Sequence, residues 1–284
     1  VGGGLFALGE GTNTLSAAAL SAVTISAGSG ADSLTIGSSI AGSNINLGSG
    51  ENLVSAGSTV SASTIQGGAG NDTILVAAGG LRGTSIGAGA GADNISIAGN
   101  VSASTVIGGS GNDYLIFASA TASSLVGNQG ADTILISNSA VNTTVGGGEG
   151  NDYVSLGGVM SGGAVFGGSG QDTLYVASLQ GGASVFGGAA ANIDDSINLI
   201  SIGAISSGLV YGSANNDTLL VGAGATAATL AGGFGSDFIS INGAVSAALI
   251  IGGDAANQTS NLDSADTITI GGAVRNSTIR GLIG

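Results

Sequence analysis

Three features of the chain predict an all-β, right-handed parallel β-solenoid of about 13 coils of ~20 residues with no helices. An Asp or Asn recurs along the whole sequence at Asn13, Asp32, Asn52, Asp72, Asp93, Asp113, Asp132, Asp152, Asp172, Asp194 or Asp195, Asp217, Asp237 and Asp266, mostly 19, 20 or 21 residues apart. Each stands in a Gly-rich turn and is followed by apolar residues two and four positions later. The 284 residues include 57 Gly and no Pro, which suits tight turns and strands whose every N–H joins a ladder.

The first element of each coil is the turn and the strand after it. Residues 67–76 read Gly-Gly-Ala-Gly-Asn-Asp-Thr-Ile-Leu-Val, and 108–117 and 147–156 repeat the pattern. The apolar pairs Leu34/Ile36, Ile74/Val76, Ile95/Ile97, Ile134/Ile136, Leu174/Val176, Leu219/Val221, Ile239/Ile241 and Ile268/Ile270 have a period of two, the mark of a strand with one buried face. The second element ends just before the turn and carries an inward residue seven positions ahead of the acid: Phe6, Ile25, Ile45, Ile65, Ile86, Val106, Leu125, Val145, Val165, Val210 and Leu230. A third inward position follows the acid by about eight, at Ile40, Val60, Val101, Val245 and Val274. One such coil cannot bury its own inner face, whereas a stack can. Stacked at the usual strand spacing of roughly 4.8 Å, the coils would form a rod about 60 Å long. The uniform period predicts one continuous solenoid over residues 1–284. Both ends interrupt the repeat, so the expectation is a segment of a longer array or a filament-forming subunit whose open sheet edges pair end to end.

Composition narrows the chemistry. The chain has 17 acids, three Arg (Arg82, Arg275, Arg280) and no Lys, His or Cys, for a formal net charge of −14. There is no basic footprint for nucleic acid. No apolar run approaches the roughly 18 residues of a membrane span, so no membrane insertion is expected. Disulfides and thiolate sites are excluded. Without His, Cys, Lys or Trp the usual acid–base and nucleophilic sets cannot be assembled, and the chain is not expected to be an enzyme. The close carboxylate pairs Asp194/Asp195 and Asp263/Asp266 read as irregular turns rather than glycosidase sites.

The acids point to a cation. Apart from Asp263, every one lies in the ladder register or in the same Gly-rich turns, as Glu10, Glu51, Glu149 and Asp254 do. Stacked carboxylates about 5 Å apart would repel one another by about 1 kcal/mol per pair in water and several-fold more near a protein surface. Ca²⁺ suits the available donors, since it accepts six to eight oxygens in flexible geometry, and a Gly-rich turn offers carbonyls beside each carboxylate. Zinc would want His or Cys. The expected ligands are Asp32, Asp72, Asp93, Asp113, Asp132, Asp152, Asp172, Asp195, Asp217, Asp237 and Asp266, holding multiple ions in one column along one edge. Asn13 and Asn52 should bind weakly, and the insertions at 189–195 and 254–266 should bind differently or not at all. Asp and Asn also favour turns for their own hydrogen-bonding reasons, which accounts for the Asn positions but not for Gly-x-Gly-x-Asp in one register without Lys.

The Gly-Gly-x-Gly-x-Asp-x-apolar-x motif, fullest at 67–76, 108–117, 147–156, 167–176 and 232–241, resembles the repeat of RTX-type calcium-binding proteins. The resemblance implies a calcium-filled parallel β-roll, type I secretion and folding outside the cell. The chain departs from that family in carrying one motif per coil of about 20 residues instead of one every nine, so a single ion column and an ion-free opposite edge of small residues are expected. RTX-type ice-binding rods are similar in the Gly-x-Gly-Asn-Asp turn, but there the variable residue is Thr. Here it is Ser29, Ser49, Ala69, Ala90, Ser110, Gln129, Glu149, Ser169 and Phe234. The leading expectation is therefore a secreted or cell-surface bacterial structural protein of a surface layer or filament that self-associates end to end and laterally. An adhesin spacer and an ice-binding solenoid are the alternatives, and cell-surface glycans are a further partner class.

Overall fold

The computed structural model describes residues 1–188, 196–253 and 265–281. Among them the regular structure is all strand, with no helix. The chain divides into two units, Val1–Ser137 and Asn138–Gly284.

In the first unit the strand after each acid lies parallel to its counterpart one coil on. Thr14–Ala17, Ser33–Ile36, Leu53–Ala56, Thr73–Val76, Asn94–Ser102, Tyr114–Thr121 and Thr133–Ile136 pair in succession. A second row runs through Gly2–Gly9, Leu20–Ala27, Asn44–Asn46, Thr64–Ala69, Ser85–Ala90, Thr105–Ser110 and Ser124–Gln129. Short strands such as Val60–Ser61 and Leu81–Arg82 form a third. The second unit repeats the plan. There Tyr153–Ser169, Thr173–Gln180, Leu199–Ile205, Thr218–Val221, Phe238–Ile241 and Thr267–Ile270 stack in order. This is a parallel β-solenoid, and its register follows the period of the acids.

The register places like on like. Leu34 pairs with Val54, Val54 with Ile74, Ile74 with Ile95, Ile95 with Leu115 and Leu115 with Ile134, and all six are wholly buried. The inward residues of the second row, Ile25 to Leu125, form a matching buried column. Each buried Leu or Ile contributes about 1.5–3 kcal/mol over leaving it in water, which is why a side-chain period of two fixes the pairing so firmly. Val185, between Val165 and Val210, joins the inward set, as does Leu81 between Val60 and Val101. Val274, assigned to the interior by its spacing, is 44% exposed because no described coil covers it.

Two backbone devices close the turns. Before most of the acids the chain passes through left-handed Gly residues such as Gly68 (φ 114°) and Gly70 (φ 112°), where a side chain would strike the backbone of the coil behind; ahead of Asp217, Ser213 and Asn215 take that conformation instead. At another corner the left-handed residue is often Ala: Ala22, Ala62, Ala103 and Ala122 have φ between 46° and 53°. Gly42 and Gly83 hold the same place in neighbouring coils.

Candidate metal centre

The Gly-rich turn swings the side chain of each ladder Asp inward, against the coil before it. Asp32, Asp72, Asp93, Asp113 and Asp132 are at most 2% exposed. One carboxylate oxygen has a fixed task. Asp32 Oδ1 accepts the N–H of Asn13 at 2.8 Å, Asp72 Oδ1 that of Asn52 at 2.8 Å, Asp93 Oδ1 that of Asp72 at 2.6 Å, Asp113 Oδ1 that of Asp93 at 2.8 Å and Asp132 Oδ1 that of Asp113 at 2.7 Å. The second unit holds the same chain of bonds, from Asp172 Oδ1 on the Asp152 N–H to Asp266 Oδ1 on the Asp237 N–H at 2.9 Å. A carboxylate in this row replaces the backbone acceptor that a turn cannot supply.

The other oxygen sets the chemistry. Oδ2 of Asp32, Asp72, Asp93 and Asp113 is buried and accepts no hydrogen bond. At Asp72 and Asp113 it lies in a cradle floored by the Gly five residues earlier, a place that Ala27 and Ala88 hold before Asp32 and Asp93. A Cβ at Gly67 would collide with both Asp72 Oδ2 and the Ala88 carbonyl of the next coil, and a Cβ at Gly108 with Asp113 Oδ2 and, at 2.9 Å, the Gly127 carbonyl. Gly147, Gly167, Gly212 and Gly232 meet the same two kinds of oxygen, from Asp152, Asp172, Asp217 and Asp237 and from the carbonyl of the following coil. At Gly67 and Gly108 the cradle therefore brings a carboxylate oxygen and a carbonyl oxygen, both acceptors, to the space beside the Gly.

Burial of such a group is costly unless something positive joins it. Desolvation pushes Asp72 up to about 6, against the N–H bond from Asn52 and with help from the charge of Asp93. Asp113 is pushed to about 7 by desolvation, opposed by the Asp93 N–H and reinforced by the charges of Asp132 and Asp93. Asp93 is raised as well, by desolvation first. The exposed Glu10 behaves oppositely, held low by the hydroxyl and N–H of Ser29. Oxygen-only donors, one of them a carboxylate, fit a hard divalent cation such as calcium. Among the described residues no three acidic side chains converge, so carbonyls and water would complete the coordination.

Of the residues expected as ligands, Asp32, Asp72, Asp93, Asp113 and Asp132 share the ladder of the first unit, and Asp152, Asp172, Asp217, Asp237 and Asp266 that of the second. Asp194 and Asp195 lie outside the described residues, as does Asp254. The place assigned to Asp195 is held by Asn198, whose Oδ1 accepts the Asp172 N–H at 2.9 Å and whose own N–H donates to Asp217 Oδ1 at 2.7 Å. The apolar pair Ile200/Ile202, two and four residues on, is the sequence signal for that register. The Asn before the acid is structural too. Asn71 Oδ1 accepts the Ala92 N–H and Asn112 Oδ1 the Ala131 N–H, each at 2.8 Å.

A second ladder, unforeseen from the sequence, occupies the corner just ahead of the second row of strands. Ser43, Ser63, Thr84, Ser104 and Ser123 are buried, each two residues before an inward apolar side chain. Ser63 Oγ accepts the Ser43 N–H at 3.1 Å, Ser104 Oγ the Thr84 N–H at 3.1 Å and Ser123 Oγ the Ser104 N–H at 3.2 Å. Every hydroxyl then donates to the carbonyl two residues back, as Ser104 does to Ser102 at 2.8 Å.

Comparison with known proteins agrees with this geometry. The RTX calcium-binding nonapeptide repeat matches in four copies, over residues 61–80, 87–120 and 209–226. No curated protein matches the chain in sequence. Among solved structures, the crystal structure of a hyperactive, Ca²⁺-dependent, β-helical antifreeze protein from an Antarctic bacterium is similar, at a TM-score of 0.64 and 20% identity over 91% of this chain and 83% of that one. The chain is a parallel β-roll in which residues 61–80, 87–120 and 209–226 match the RTX calcium-binding repeat.

Proposed function

We propose that this chain is an extracellular structural protein, a calcium-stabilised repeat rod that assembles into a bacterial surface layer or filament. The observation behind the reading is the buried Oδ2 of Asp32, Asp72, Asp93 and Asp113. Carboxylates so placed oppose folding while calcium is scarce, as in the cytosol, and favour it where calcium is plentiful, so folding would follow export. One column of ions along the acid edge, with ligands from successive coils, would neutralise the charge that keeps the chain open. Among the described residues no helix is long and apolar enough to cross a membrane, and the described sheet surface bears few charges, which suits lateral packing. The test is to add calcium to chelated protein and follow particle size and electron micrographs. Ordered sheets or filaments are the expected result, and a folded protein that stays monomeric at all concentrations overturns assembly in favour of an adhesin spacer.

Ice binding is the second reading, favoured by the similarity to the antifreeze protein. Against it stands the stacked row Ser29, Ser49, Ala69, Ala90, Ser110 and Gln129, which lacks a uniform side chain. Thermal hysteresis in the calcium-loaded protein would move the choice to ice.

A further inference from the structure

We infer that Asn13, Asn52 and Asn198 are ion-free rungs in which a side-chain amide stands where the other coils present a carboxylate to a cation, dividing the acid ladder into separate blocks. The inference rests on the calcium reading of that ladder and concerns the coils that do not need calcium.

The geometry at Asn52 carries the argument. Its Oδ1 keeps the task of every rung and accepts the Asp32 N–H at 2.9 Å. Its Nδ2 donates to the Gly50 carbonyl at 3.1 Å and to the Gly67 carbonyl of the next coil at 3.4 Å. Gly67 stands five residues before Asp72, as Ala88 stands before Asp93, so the Asn52 amide contacts the same carbonyl position that confronts Asp72 Oδ2 one coil on. Asn13 Nδ2 donates to Gly11 at 2.7 Å and to Gly9 at 3.4 Å. Asn198 Nδ2 donates to Ser196 at 3.0 Å, and a Cβ at Gly187 would meet both that amide, at 2.8 Å, and the Gly212 carbonyl.

Asn and Asp have the same shape, but an amide brings two protons and no charge where a carboxylate brings neither proton. In an Asp rung a carboxylate oxygen and carbonyls converge as acceptors, and a cation or a proton must reconcile them. In an Asn rung the amide protons do so within the chain. What remains is Asp32 alone and the block Asp72, Asp93, Asp113 and Asp132 in the first unit, and in the second Asp152 and Asp172 before Asn198 and Asp217, Asp237 and Asp266 after it, each beside a rung that closes without calcium. Solenoid stability is close to a sum of neighbour terms, so these rungs are where pairing persists at low calcium and from which the acid blocks fold as calcium rises.

The experiment uses the full chain with Asn52→Asp, Asp113→Asn and Asp113→Ala. Bound calcium is measured by equilibrium dialysis, and β-structure by circular dichroism across urea in chelator. Where the wild type does not fold in chelator, the free-calcium midpoint of folding replaces the urea midpoint. Asn52→Asp should bind about one more ion per chain and be weaker in chelator, or fold only at higher free calcium. Asp113→Asn should bind less calcium and yet be stronger in chelator than both the wild type and Asp113→Ala, or fold at lower free calcium than either. The inference is overturned if Asn52→Asp changes neither quantity, or if Asp113→Asn is as weak in chelator as Asp113→Ala. A wild type that binds no calcium would instead sink the calcium reading, and the contrast of Asn with Ala in chelator would still decide this one.

Discussion

Asp113 and Ser104 each lend a side-chain oxygen to the backbone N–H of the coil before, Asp113 to Asp93 at 2.8 Å and Ser104 to Thr84 at 3.1 Å. Both are buried, and both recur coil after coil. They differ in what is left over. The Ser104 hydroxyl carries a proton and donates a hydrogen bond with it to the Ser102 carbonyl at 2.8 Å, so its edge is closed by the polypeptide alone. The carboxylate of Asp113 has a second oxygen with no proton to give, set against a carbonyl in a cradle of Gly. Two edges of one coil meet the same geometric demand, and only one of them is complete without an outside partner. The proposed calcium dependence would then reside on the acid edge, with the hydroxyl edge as a scaffold closed by its own hydrogen bonds.

The contrast can be broken most severely at the cradle. Gly108 has no left-handed φ, so Gly108→Ala adds bulk without backbone strain, yet the new Cβ would strike Asp113 Oδ2. A loss of about 1–3 kcal/mol, the usual range for overpacking, together with weaker calcium binding is expected from urea unfolding and dialysis.

Acidity gives the next effect. Asp72 and Asp113 are raised from 3.8 to about 6 and about 7 in the ion-free fold, so between roughly pH 4 and 7 the folded chain binds more protons than the unfolded one. Stability in chelator should therefore be greatest below pH 4–5 and fall as pH rises through 6 and 7, which urea midpoints at pH 5 and pH 8 would show. With calcium bound the order should reverse, because protons then compete with the ion.

On the other edge, Ser104→Ala removes the acceptor of a buried N–H and should cost about 1–2 kcal/mol while leaving calcium binding unchanged. A matching drop in calcium affinity would show that the edges are not independent. The smallest effect is a gain. Ala62 sits at φ 46° where Gly42 and Gly83 serve neighbouring coils, so Ala62→Gly should stabilise by about 1 kcal/mol or less, the relief of left-handed strain partly offset by a freer unfolded chain.

Much of the fold can be read directly from the chain. The paired apolar residues after each acid locate the strands, and the seven-residue offset of Ile45, Ile65 and Ile86 locates the second row. These signals survive because burial on one face repeats in every coil. The register slips at Asn198, where the neighbouring Asp194 and Asp195 look more like a rung than the Asn that is one. The hydroxyl ladder is also written in the sequence, as Ser or Thr two positions ahead of Ile45, Ile65, Ile86, Val106 and Leu125, but Ser and Thr are so common here that the pattern does not stand out. The division of labour between Oδ1 and Oδ2 is not legible at all, because it depends on which atom of one coil lies under which atom of the next.

The claim that the acid edge needs a cation is tested most directly by titrating chelated protein with calcium while recording far-ultraviolet circular dichroism and bound calcium together. The two ladders predict that β-structure and bound calcium rise in step. Native dichroism that persists in chelator at pH 8, with calcium binding later and changing nothing, would contradict it.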